Sequence, residues 1–504
     1  MSELSSWCQC FPDLLIPEPA PNQMQPSVDV LGASPTQPDD KYYVRRVVGT
    51  GATGTALIGR RVRDGLPVIA KVVDLGELDA TQRDRTNSEI DCLSRCQHSM
   101  IIQYLAHYLV DTRLLVVMEL ADAGDLGFQI KHRREAKAYF LEQEVALMLT
   151  QILIAVDYIH NQNILHRDLK PANVFVKTNG LVKIGDFGLS RIFEETVSKN
   201  VAQSVVGTPY YLAPEVWGRE KYGKKVDMFS VGVLWYEMLT LQRPFKGSSV
   251  TSVMQAITNG TYAPLPDHIS DNSRLLVAKL LAAKPEERFS VVEVFESPLM
   301  DHALRIFSSS IVNNLPATEA ARQHVQRDAL FLRAQVKAHL EAKYPVVAPS
   351  PARIKELAFS SPMVHLEDGK KWKHRALALT DNGLILVGKS VEALVTPKTT
   401  SPSPSPTASN GAAAASSSTS TTLGSMRCIP INDVLHVNDV PACFAEGRPN
   451  VFAIVLRSTD EALWFYSAID ESLNVEWKKR LGEACGRTLK PLELLKSDEE
   501  ARKQ

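Results

Sequence analysis

The segment HRDLKPAN at residues 166–173, followed by a DFG tripeptide that begins at Asp186, decides how this sequence is interpreted. Asp168 is a carboxylate that can orient a hydroxyl group and receive its proton, and Lys170 can reach a phosphoryl group in transfer. Asn173 and Asp186 offer carbonyl and carboxylate oxygens, which are the ligand types that Mg²⁺ prefers. The pattern therefore predicts the chemistry of phosphoryl transfer.

A glycine-rich segment, GTGATGTA, lies upstream between two strand-like runs. The missing side chains of Gly49, Gly51 and Gly54 let backbone N–H groups approach phosphate oxygens closely. This spacing alone is also typical of a glycine-rich hairpin. It gains weight from the run VIAK that ends at Lys71, because this lysine can anchor phosphates when Glu89 of the next helix pairs with it. The alternative for Lys71 is an ordinary charge on a strand edge.

In order and spacing these motifs resemble those of the eukaryotic protein kinases. The segments HRDLKPANVFV, IGDFGLSR and VGTPYYLAPE are most similar to the NIMA-related kinases, and the kinase resemblance covers about half of the chain. It implies an α+β, two-lobed fold with ATP in the cleft, Mg²⁺ as cofactor, and transfer of the γ-phosphate to Ser or Thr of protein substrates. The implied catalytic residues are Asp168, Lys170 and Lys71, and the implied metal ligands are Asn173 and Asp186.

The resemblance also implies a set of residues around ATP. Adenine would hydrogen-bond to the hinge backbone near Glu119 and Ala121, with Met118 as the gatekeeper. The full set is Val48, Gly49, Gly51, Gly54, Ala56, Ala70, Lys71, Glu89, Met118, Glu119 and Ala121. This sequence departs from the family at Ala56, where valine is usual, and at Thr53, where an aromatic residue is common. Neither departure removes a phosphate or metal ligand, so we expect altered ATP affinity with catalysis retained.

Three further charged residues fit structural roles. Glu215 of the APE motif and Arg288 are predicted to form an ion pair, and Asp227 is predicted to brace the catalytic loop.

An activating phosphorylation site is predicted within residues 189–206. Ser204 is the first candidate, because it lies three residues before the GTPYY segment, where similar kinases carry an activating threonine. A phosphate there could order the loop through Arg167 and Arg191. Thr196 and Ser198 are alternatives, and a solvated serine without a role is the simpler interpretation of Ser204.

Composition changes along the chain predict its organisation. Residues 317–343 contain no Gly or Pro and are expected to form a helix, either packed on a neighbouring element or, as the alternative, dimerising as a coiled coil. The predicted organisation is a disordered tail at 1–40, a kinase domain at 42–300, a linker with a helix at 301–350, a β-rich domain at 352–488 with a low-complexity insertion at 396–424, and a tail at 489–504.

The β-rich region alternates apolar and polar residues around a DNG turn and ends in a helix with Leu473, Trp477 and Leu481 on one face. This order resembles a pleckstrin-homology domain, a small β-sandwich or barrel closed by a C-terminal helix, and protist kinases of this combination are known. The low-complexity segment would lie between its third and fourth strands. Trp372 and Trp477 are the aromatic landmarks, and Trp477 is expected in the core.

A basic cluster near the first inter-strand loop makes a lipid site one hypothesis for this domain. Lys371, Lys373 and Arg375 occupy alternate positions, so they would share one strand face. The candidate ligands are phosphoinositides or an anionic membrane surface, with a protein partner as the alternative. Glu367 and Asp368 precede the cluster and oppose its charge, so an ordinary solvated face is an equal alternative to lipid binding.

Composition narrows the class of partner. The formal net charge is −1, with 44% hydrophobic and 22% charged residues, as in ordinary globular proteins. No overall field attracts nucleic acid, and no nucleic-acid partner is expected. The scattered cysteines suit a reducing compartment. We therefore expect a cytoplasmic protein, with peripheral membrane or cytoskeletal association as alternatives.

Two rival functions follow from the same sequence. A pseudokinase scaffold would use the lobes to bind partners, but the complete catalytic set disfavours it. Alternatively, the C-terminal domain is the functional core and the kinase regulates it.

Overall fold

The structure is a computed structural model that describes residues 29–31, 41–51, 54–76, 90, 93–186, 191–192, 209–218, 222–343, 357–367, 371–380, 384–388, 422–423, 426–440, 444, 451–457, 462–466 and 472–484. The chain forms two compact units, Met1–Arg333 and Ala334–Gln504. Among the described residues, no helix is long and apolar enough to cross a membrane.

The first unit begins with a 6-stranded antiparallel sheet in the order β1-β2-β3-β4-β6-β5. Its strands are β1 (Asp29–Leu31), β2 (Tyr42–Gly51), β3 (Gly54–Arg61), β4 (Pro67–Asp74), β5 (Tyr104–Val110) and β6 (Arg113–Glu119). Alternation places Val68 and Ala70 of β4 in a buried cluster with Tyr42, Tyr108 and Val117. This cluster fixes the sheet whose strands carry the glycine-rich segment and Lys71.

The rest of this unit is mainly helical. Its helices are α1 (Leu126–Ala136), α2 (Glu142–Asn161), α3 (Pro214–Trp217), α4 (Lys225–Thr240), α5 (Val250–Thr258), α6 (Asp271–Leu280), α7 (Val291–Val294), α8 (Pro298–Ile306) and α9 (Val312–Asn314), with a π-helical turn at Phe307–Ile311. Most residues of α2 and α4 are buried because both helices are apolar on nearly every face. Helix α2 packs against α4 and against the strands at Ile164–Leu165 and Val182–Ile184.

Four short strands in this region pair in two ribbons. They are β7 (Ile164–Leu165), β8 (Val174–Val176), β9 (Val182–Ile184) and β10 (Arg191–Ile192). β7 pairs with β10 and β8 pairs with β9, in both cases antiparallel. The segment between β7 and β8 and the residues just after β9 are therefore brought to neighbouring positions.

Helix α10 (Glu319–Lys343) is the helix predicted for the linker, and the boundary between the two units falls within it. Val325, Ala329, Leu332, Val336 and Leu340 are buried along one helical stripe. The chain itself covers this stripe, which supports the interpretation of a helix packed on a neighbouring element.

The second unit contains an 8-stranded antiparallel sheet in the order β14-β15-β13-β12-β11-β18-β17-β16. Its elements are β11 (Leu357–Glu367), β12 (Lys371–Thr380), β13 (Leu384–Gly388), β14 (Thr422–Leu423), β15 (Met426–Pro430), β16 (Val434–Asp439), β17 (Phe452–Leu456), β18 (Ala462–Tyr466) and α11 (Ser472–Ala484). Trp477 and Leu481 of α11 lie in the same buried cluster as Leu377, Phe452 and Phe465. The prediction of Trp477 as a core residue is confirmed.

Several predictions change at the level of elements. Asp29–Leu31 lies within the predicted disordered tail but pairs with β2, since its apolar residues complete the sheet edge. A 3₁₀ turn at Ile431–Asp433 separates β15 from β16. Most of the low-complexity segment lies outside the described residues. β13 precedes that segment and β15 follows it, and these two strands pair directly.

Candidate active site

The loop His166–Asn173 connects β7 to β8, and Asp227 of α4 anchors its first two residues. The Asp227 carboxylate accepts hydrogen bonds from the backbone N–H of His166 (3.0 Å) and of Arg167 (2.8 Å), and lies 2.8 Å from His160 Nε2. Arg167 has a φ of 67°, a left-handed conformation that a non-glycine residue adopts at a cost. Asp227 is fully buried, so its three donors hold a strained turn in one conformation.

Asp168, Lys170 and Asn173 converge on one point of this loop. Lys170 Nζ lies 2.7 Å from Asp168 Oδ2. The Asn173 amide donates to the Asp168 carbonyl oxygen at 2.8 Å and to its Oδ2 at 3.0 Å. Because both amide protons are used, the carbonyl oxygen of Asn173 is the atom left to act as a ligand. The carboxylate is thus held by two donors while its side chain stays 25% exposed to solvent.

Asp186 follows β9 and adopts a left-handed conformation with a φ of 59°. Its Oδ1 accepts from Lys71 Nζ at 2.9 Å. Burial alone would raise the pKa of Asp186, but Lys71 and then Lys170 outweigh it and hold this pKa below its ordinary value. The carboxylate is therefore ionised at neutral pH, with 30% of its side chain exposed.

His166 joins the two loops. Its Nδ1 accepts from the Asp168 backbone N–H (3.4 Å), and its Nε2 lies 3.2 Å from the Gly185 carbonyl oxygen. Burial lowers the pKa of His166, so the ring is neutral, with its proton on Nε2. The imidazole thus links the Asp168 backbone N–H to the carbonyl oxygen of Gly185, the residue before Asp186.

Lys71 lies in the middle of the first sheet, opposite Ala56 of β3 and Val116 of β6. Gly51 and Gly54 face each other across the β2–β3 turn. Gly54 has a φ of 126°, and a Cβ there would collide with the Val72 carbonyl oxygen, so the turn requires glycine. The turn therefore ends the β2–β3 hairpin, and β3 pairs with β4, the strand that carries Lys71.

The residues predicted at the hinge end β6. The Glu119 backbone N–H donates to the Gln103 carbonyl oxygen at 3.0 Å, so this residue can offer a nucleotide base only its carbonyl oxygen. The Glu119 carboxylate accepts from the Gln103 N–H at 2.9 Å and from Lys183 Nζ at 2.6 Å, with Lys177 at 3.4 Å. The hinge backbone is thereby tied to β9, the strand before Asp186.

Other predicted site residues differ in how the structure treats them. Val48 is exposed, Ala70 is buried, and Met118 and Ala121 are half-buried. Glu89, the predicted partner of Lys71, lies outside the described residues, as do the Ser204 site and Thr53. Arg167, which was expected to receive a phosphate, lies 5.5 Å from the ring centre of Tyr222.

The donor set can be tested against Mg²⁺. Asp186 provides an ionised carboxylate and Asn173 a carbonyl oxygen, and Mg²⁺ prefers such oxygen ligands with several others left to water and phosphates. Within the described residues there is no group of three or more His, Cys, Asp or Glu side chains that could enclose a metal. Asp186 and Asn173 fit an Mg²⁺ ion that takes its remaining ligands from water and phosphate oxygens.

Comparison with protein-family models matches residues 42–300 to the family described as the protein kinase domain. The chain belongs to the protein serine/threonine kinase family. The predicted two-lobed α+β kinase fold is confirmed by this match together with the antiparallel sheet and helical region described above.

Similar kinases extend the comparison. A Trypanosoma brucei brucei protein that carries the name serine/threonine-protein kinase A is 38% identical over 371 residues, which cover 72% of this chain and 84% of the relative. Serine/threonine-protein kinase nekl-2 of Caenorhabditis elegans is 36% identical over 269 residues, covering 52% of this kinase and 74% of the relative. Human Nek5 is 30% identical over 266 residues, covering 53% and 37%. The Nek relatives support the placement of this kinase among the NIMA-related kinases.

The alignment with the trypanosome protein continues beyond the kinase domain. It covers 72% of the 504 residues of this chain, whereas the matched kinase domain, residues 42–300, covers about half of them.

Sequence interpretation missed two groups of residues that the structure places around the kinase site. Lys183 and Gln103 hold the hinge residue Glu119, and Asp328 contacts residues 98–99 from the distant helix α10. A lysine between two apolar residues in the buried run LVKIG was the one available signal for Lys183, because a buried cation needs a partner. Nothing in the sequence near Asp328 indicates its partner. The predicted pair of Glu215 with Arg288 is confirmed, at 2.8 Å and 3.1 Å and almost fully buried.

Proposed function

We propose that this kinase transfers the γ-phosphate of ATP to Ser or Thr hydroxyl groups of protein substrates, with Asp168 as the residue that receives the hydroxyl proton. The observation that supports this proposal is the position of the Asp168 carboxylate. Its Oδ2 accepts from Lys170 Nζ at 2.7 Å and from the Asn173 amide at 3.0 Å, while the side chain stays partly exposed. A carboxylate so placed can orient a hydroxyl without closing the site.

The neighbouring residues receive roles that follow from their contacts. Lys170, beside Asp168, would contact the transferring phosphoryl group and balance charge in the transition state. Lys71 would anchor the α- and β-phosphates, since it already lies against an anionic group, Asp186. Asp186 and Asn173 would hold Mg²⁺. The bound metal would neutralise phosphate charge during transfer.

The reaction is balanced by these groups. The substrate oxygen forms a bond to the γ-phosphorus, the bond from that phosphorus to the bridging oxygen breaks, and ADP leaves. The hydroxyl proton goes to Asp168. The base would lie against the hinge, with the Glu119 carbonyl oxygen as its acceptor and Ala56 and Ala70 beside it.

The test is phosphorylation of an arrayed Ser/Thr peptide library by full-length protein and by Asp168→Asn and Lys71→Met variants. Removal of a preorganised electrostatic group should reduce kcat by about 10³-fold or more with the fold retained. Asp301→Asn is the matched control, because this buried aspartate pairs with Arg305 on α8 and should leave kcat unchanged. Normal transfer by folded Asp168→Asn would refute the assignment, and no transfer by activated wild-type protein would favour the scaffold hypothesis.

For the second unit, we propose a pleckstrin-homology-type module that binds anionic lipid headgroups. The order of its strands, the terminal helix and the buried Trp477 support this type. The specific observation is the β11–β12 register, in which Met363 lies opposite Arg375 and His365 opposite Lys373. Met363 is buried in the core, Arg375 is half-buried and Lys373 is exposed. Along this face of β12, the residues therefore change from buried to solvent-exposed, and the two cations lie at the exposed end. Each could contribute about 1 kcal/mol near an anionic surface.

Co-sedimentation of the full chain with vesicles, with and without anionic lipid, tests this module at two salt concentrations. The Lys373→Ala/Arg375→Ala double variant should lose binding, whereas Lys479→Ala, an exposed lysine on α11, should retain it. Binding should fall with salt because surface charges are screened. Absence of pelleting at low salt would favour a protein partner, an outcome anticipated by Glu367 lying opposite Lys371.

A further inference from the structure

Helix α10 contacts the loop of residues 96–103, which precedes β5, through one buried carboxylate, that of Asp328. Asp328 Oδ2 accepts from the Ser99 backbone N–H at 3.2 Å and from Ser99 Oγ at 2.6 Å. His98 Nε2 lies 3.4 Å from the same oxygen. Asp328 and His98 are both almost inaccessible to solvent on their side chains, so the contact exchanges little with water.

The same loop is fixed from a second direction by α2. The Gln97 backbone N–H donates to Tyr158 Oη at 3.1 Å. The rings of His98 and Tyr158 lie 4.6 Å apart between centroids. Residues 97–99 are thus held between α2 and α10.

The continuation of this loop is hydrogen-bonded to β9. The Ile102 N–H donates to the Ile184 carbonyl oxygen at 2.9 Å, and the Ile184 N–H donates to the Met100 carbonyl oxygen at 2.9 Å. Lys183 Nζ adds a bond of 3.3 Å to the Ile101 carbonyl oxygen. Two parallel segments therefore share their backbone bonds immediately before Asp186.

Packing transmits the same constraint to the next residue. A Cβ on Gly185 would lie 2.8 Å from Ile102 Cγ1, so the two backbones approach as closely as glycine permits. Any displacement of residues 100–102 must move Gly185, and with it Asp186, whose left-handed backbone leaves few alternative conformations.

We propose that Asp328 is a positioning residue for phosphoryl transfer, which holds the loop that sets the place of Asp186. This rests on the proposed role of Asp186 as a metal ligand. Helix α10, outside the matched kinase domain, then acts as a cis-acting brace of the catalytic site.

The charges around the contact explain why the carboxylate matters. His98 Nδ1 accepts from the Met100 N–H at 3.1 Å, so the ring proton lies on Nε2, toward Asp328. Burial lowers the pKa of His98 to about 4, against the opposing effect of Asp328, and Lys183 and Arg327 lower it further. At neutral pH Asp328 therefore accepts from neutral donors and lies 3.1 Å from Arg327, and its removal leaves the half-buried N–H and hydroxyl donors of Ser99 without this acceptor.

The experiment compares Asp328→Ala, Asp328→Asn, Ser99→Ala and the Asp328→Ala/Ser99→Ala double variant in the full chain. Asp301→Ala is the matched control, since it removes a buried aspartate whose partner, Arg305, lies on the same helix, α8. Amide hydrogen exchange of residues 100–102 and 182–186 reports the position of the loop without nucleotide. Calorimetric binding of ATP with and without Mg²⁺, and kcat and KM with a peptide, report the site.

We expect Asp328→Ala to accelerate exchange at Ile102 and Ile184 about 10- to 100-fold relative to Asp301→Ala, with kcat lowered by a similar factor. ATP affinity should fall with Mg²⁺ present and stay unchanged without it, and the peptide KM should not change. Asp328→Asn keeps one oxygen acceptor and should lie between Asp328→Ala and wild type. Ser99→Ala should have a smaller effect, and the double variant should match Asp328→Ala because the two residues share one contact.

Exchange, kcat and metal-dependent ATP binding in Asp328→Ala that equal those of Asp301→Ala would overturn the inference. Asp186→Asn separates this failure from that of the proposed function. If Asp186→Asn keeps normal kcat, the proposed role of Asp186 is wrong, whereas the exchange data still decide whether Asp328 holds the loop. If Asp186→Asn is inactive and Asp328→Ala is normal in all three measurements, the inference alone fails.

Discussion

Replacement of Asp227 by alanine should impair both stability and catalysis, because one buried carboxylate serves both. Its side chain is fully inaccessible, and it accepts from the backbone of His166 and Arg167 and from the ring of His160. Arg167 is held at a φ of 67°, a conformation that it would leave if its N–H lost the acceptor. Asp168 follows directly, so the catalytic carboxylate would move with it.

The magnitude follows from these contacts. A hydrogen bond to a charged group contributes about 1.5–3 kcal/mol, and three such bonds to one carboxylate are not additive. Loss of a buried charged partner costs about 3–5 kcal/mol, a large part of the free energy of unfolding of a typical domain. A displacement of Asp168 near 1 Å would lower kcat by about 100-fold. The KM for ATP should change less, because Lys71 and the hinge lie on other elements.

The pH dependence adds a sign. Burial alone would raise the pKa of Asp227, but its bond with His160 and further interactions hold this pKa below its ordinary value of 3.8. The stabilisation is therefore complete above that value and is lost as pH falls through the lower, folded-state pKa. Between pH 5 and pH 8 the titration of Asp227 itself should therefore add no pH dependence to the difference in free energy of unfolding between wild type and Asp227→Ala.

Urea unfolding and steady-state kinetics at a temperature where both proteins are folded provide the assay. Asp227→Asn retains the shape but turns an amide NH₂ toward at least one of the three donors, so its losses should be intermediate. Asp301→Asn controls for the loss of a buried aspartate elsewhere. Wild-type stability of Asp227→Ala, or a stability loss with unchanged kcat, would refute the argument that Asp227 braces the catalytic loop.

Three other outcomes can be measured in the same way. Arg288→Ala should cost about 3–5 kcal/mol in urea unfolding because it leaves Glu215 buried and unpaired, and Arg288→Lys should not restore the two-point contact; equal stability of all three proteins would contradict this. The folded-state pKa of His98 lies below the unfolded one, so wild type should lose about 3 kcal/mol of stability as the pH falls from 6.5 to about 4. His98→Gln should remove this loss. An unchanged pH profile would exclude His98 as its source. Trp477→Ala should destabilise the second unit by about 3–5 kcal/mol, seen as a shifted unfolding transition, unless the core cluster around it does not form.

Local patterns carried most of the information about elements. The apolar run at residues 144–160 lies within α2, and the strand-like runs at residues 42–48 and 114–120 correspond closely to β2 and β6. Such elements follow from side-chain periodicity and from motifs whose spacing is set by the chemistry they serve. The convergence of Asp168, Lys170 and Asn173 is equally local, because all three lie within one short loop.

Contacts between distant segments could not be predicted in the same way. The partners Ser99 and Asp328 are 229 residues apart, and either one alone is an ordinary polar residue. The pairing of Glu119 with Lys183 depends on how β6 and β9 approach across the lobes, which no periodicity encodes. The short strand β1 was missed because three residues in a polar region carry too little pattern, although an open sheet edge can recruit them.

Exposure distinguishes the charged groups proposed to act on a substrate from those that maintain the fold. The side chains of Asp168 and Asp186 are 25% and 30% exposed, whereas those of Asp227 and Arg288 are 0% exposed. A phosphate must displace water to reach a carboxylate or its bound metal, so a charge sealed from solvent can act only through the groups that it holds. By this criterion Asp328, with 7% of its side chain exposed, belongs with Asp227: its effect on catalysis must pass through the loop that it binds. The two aspartates would then hold the catalytic residues at two separate places, Asp227 through the turn before Asp168 and Asp328 through the segment that pairs with the strand before Asp186.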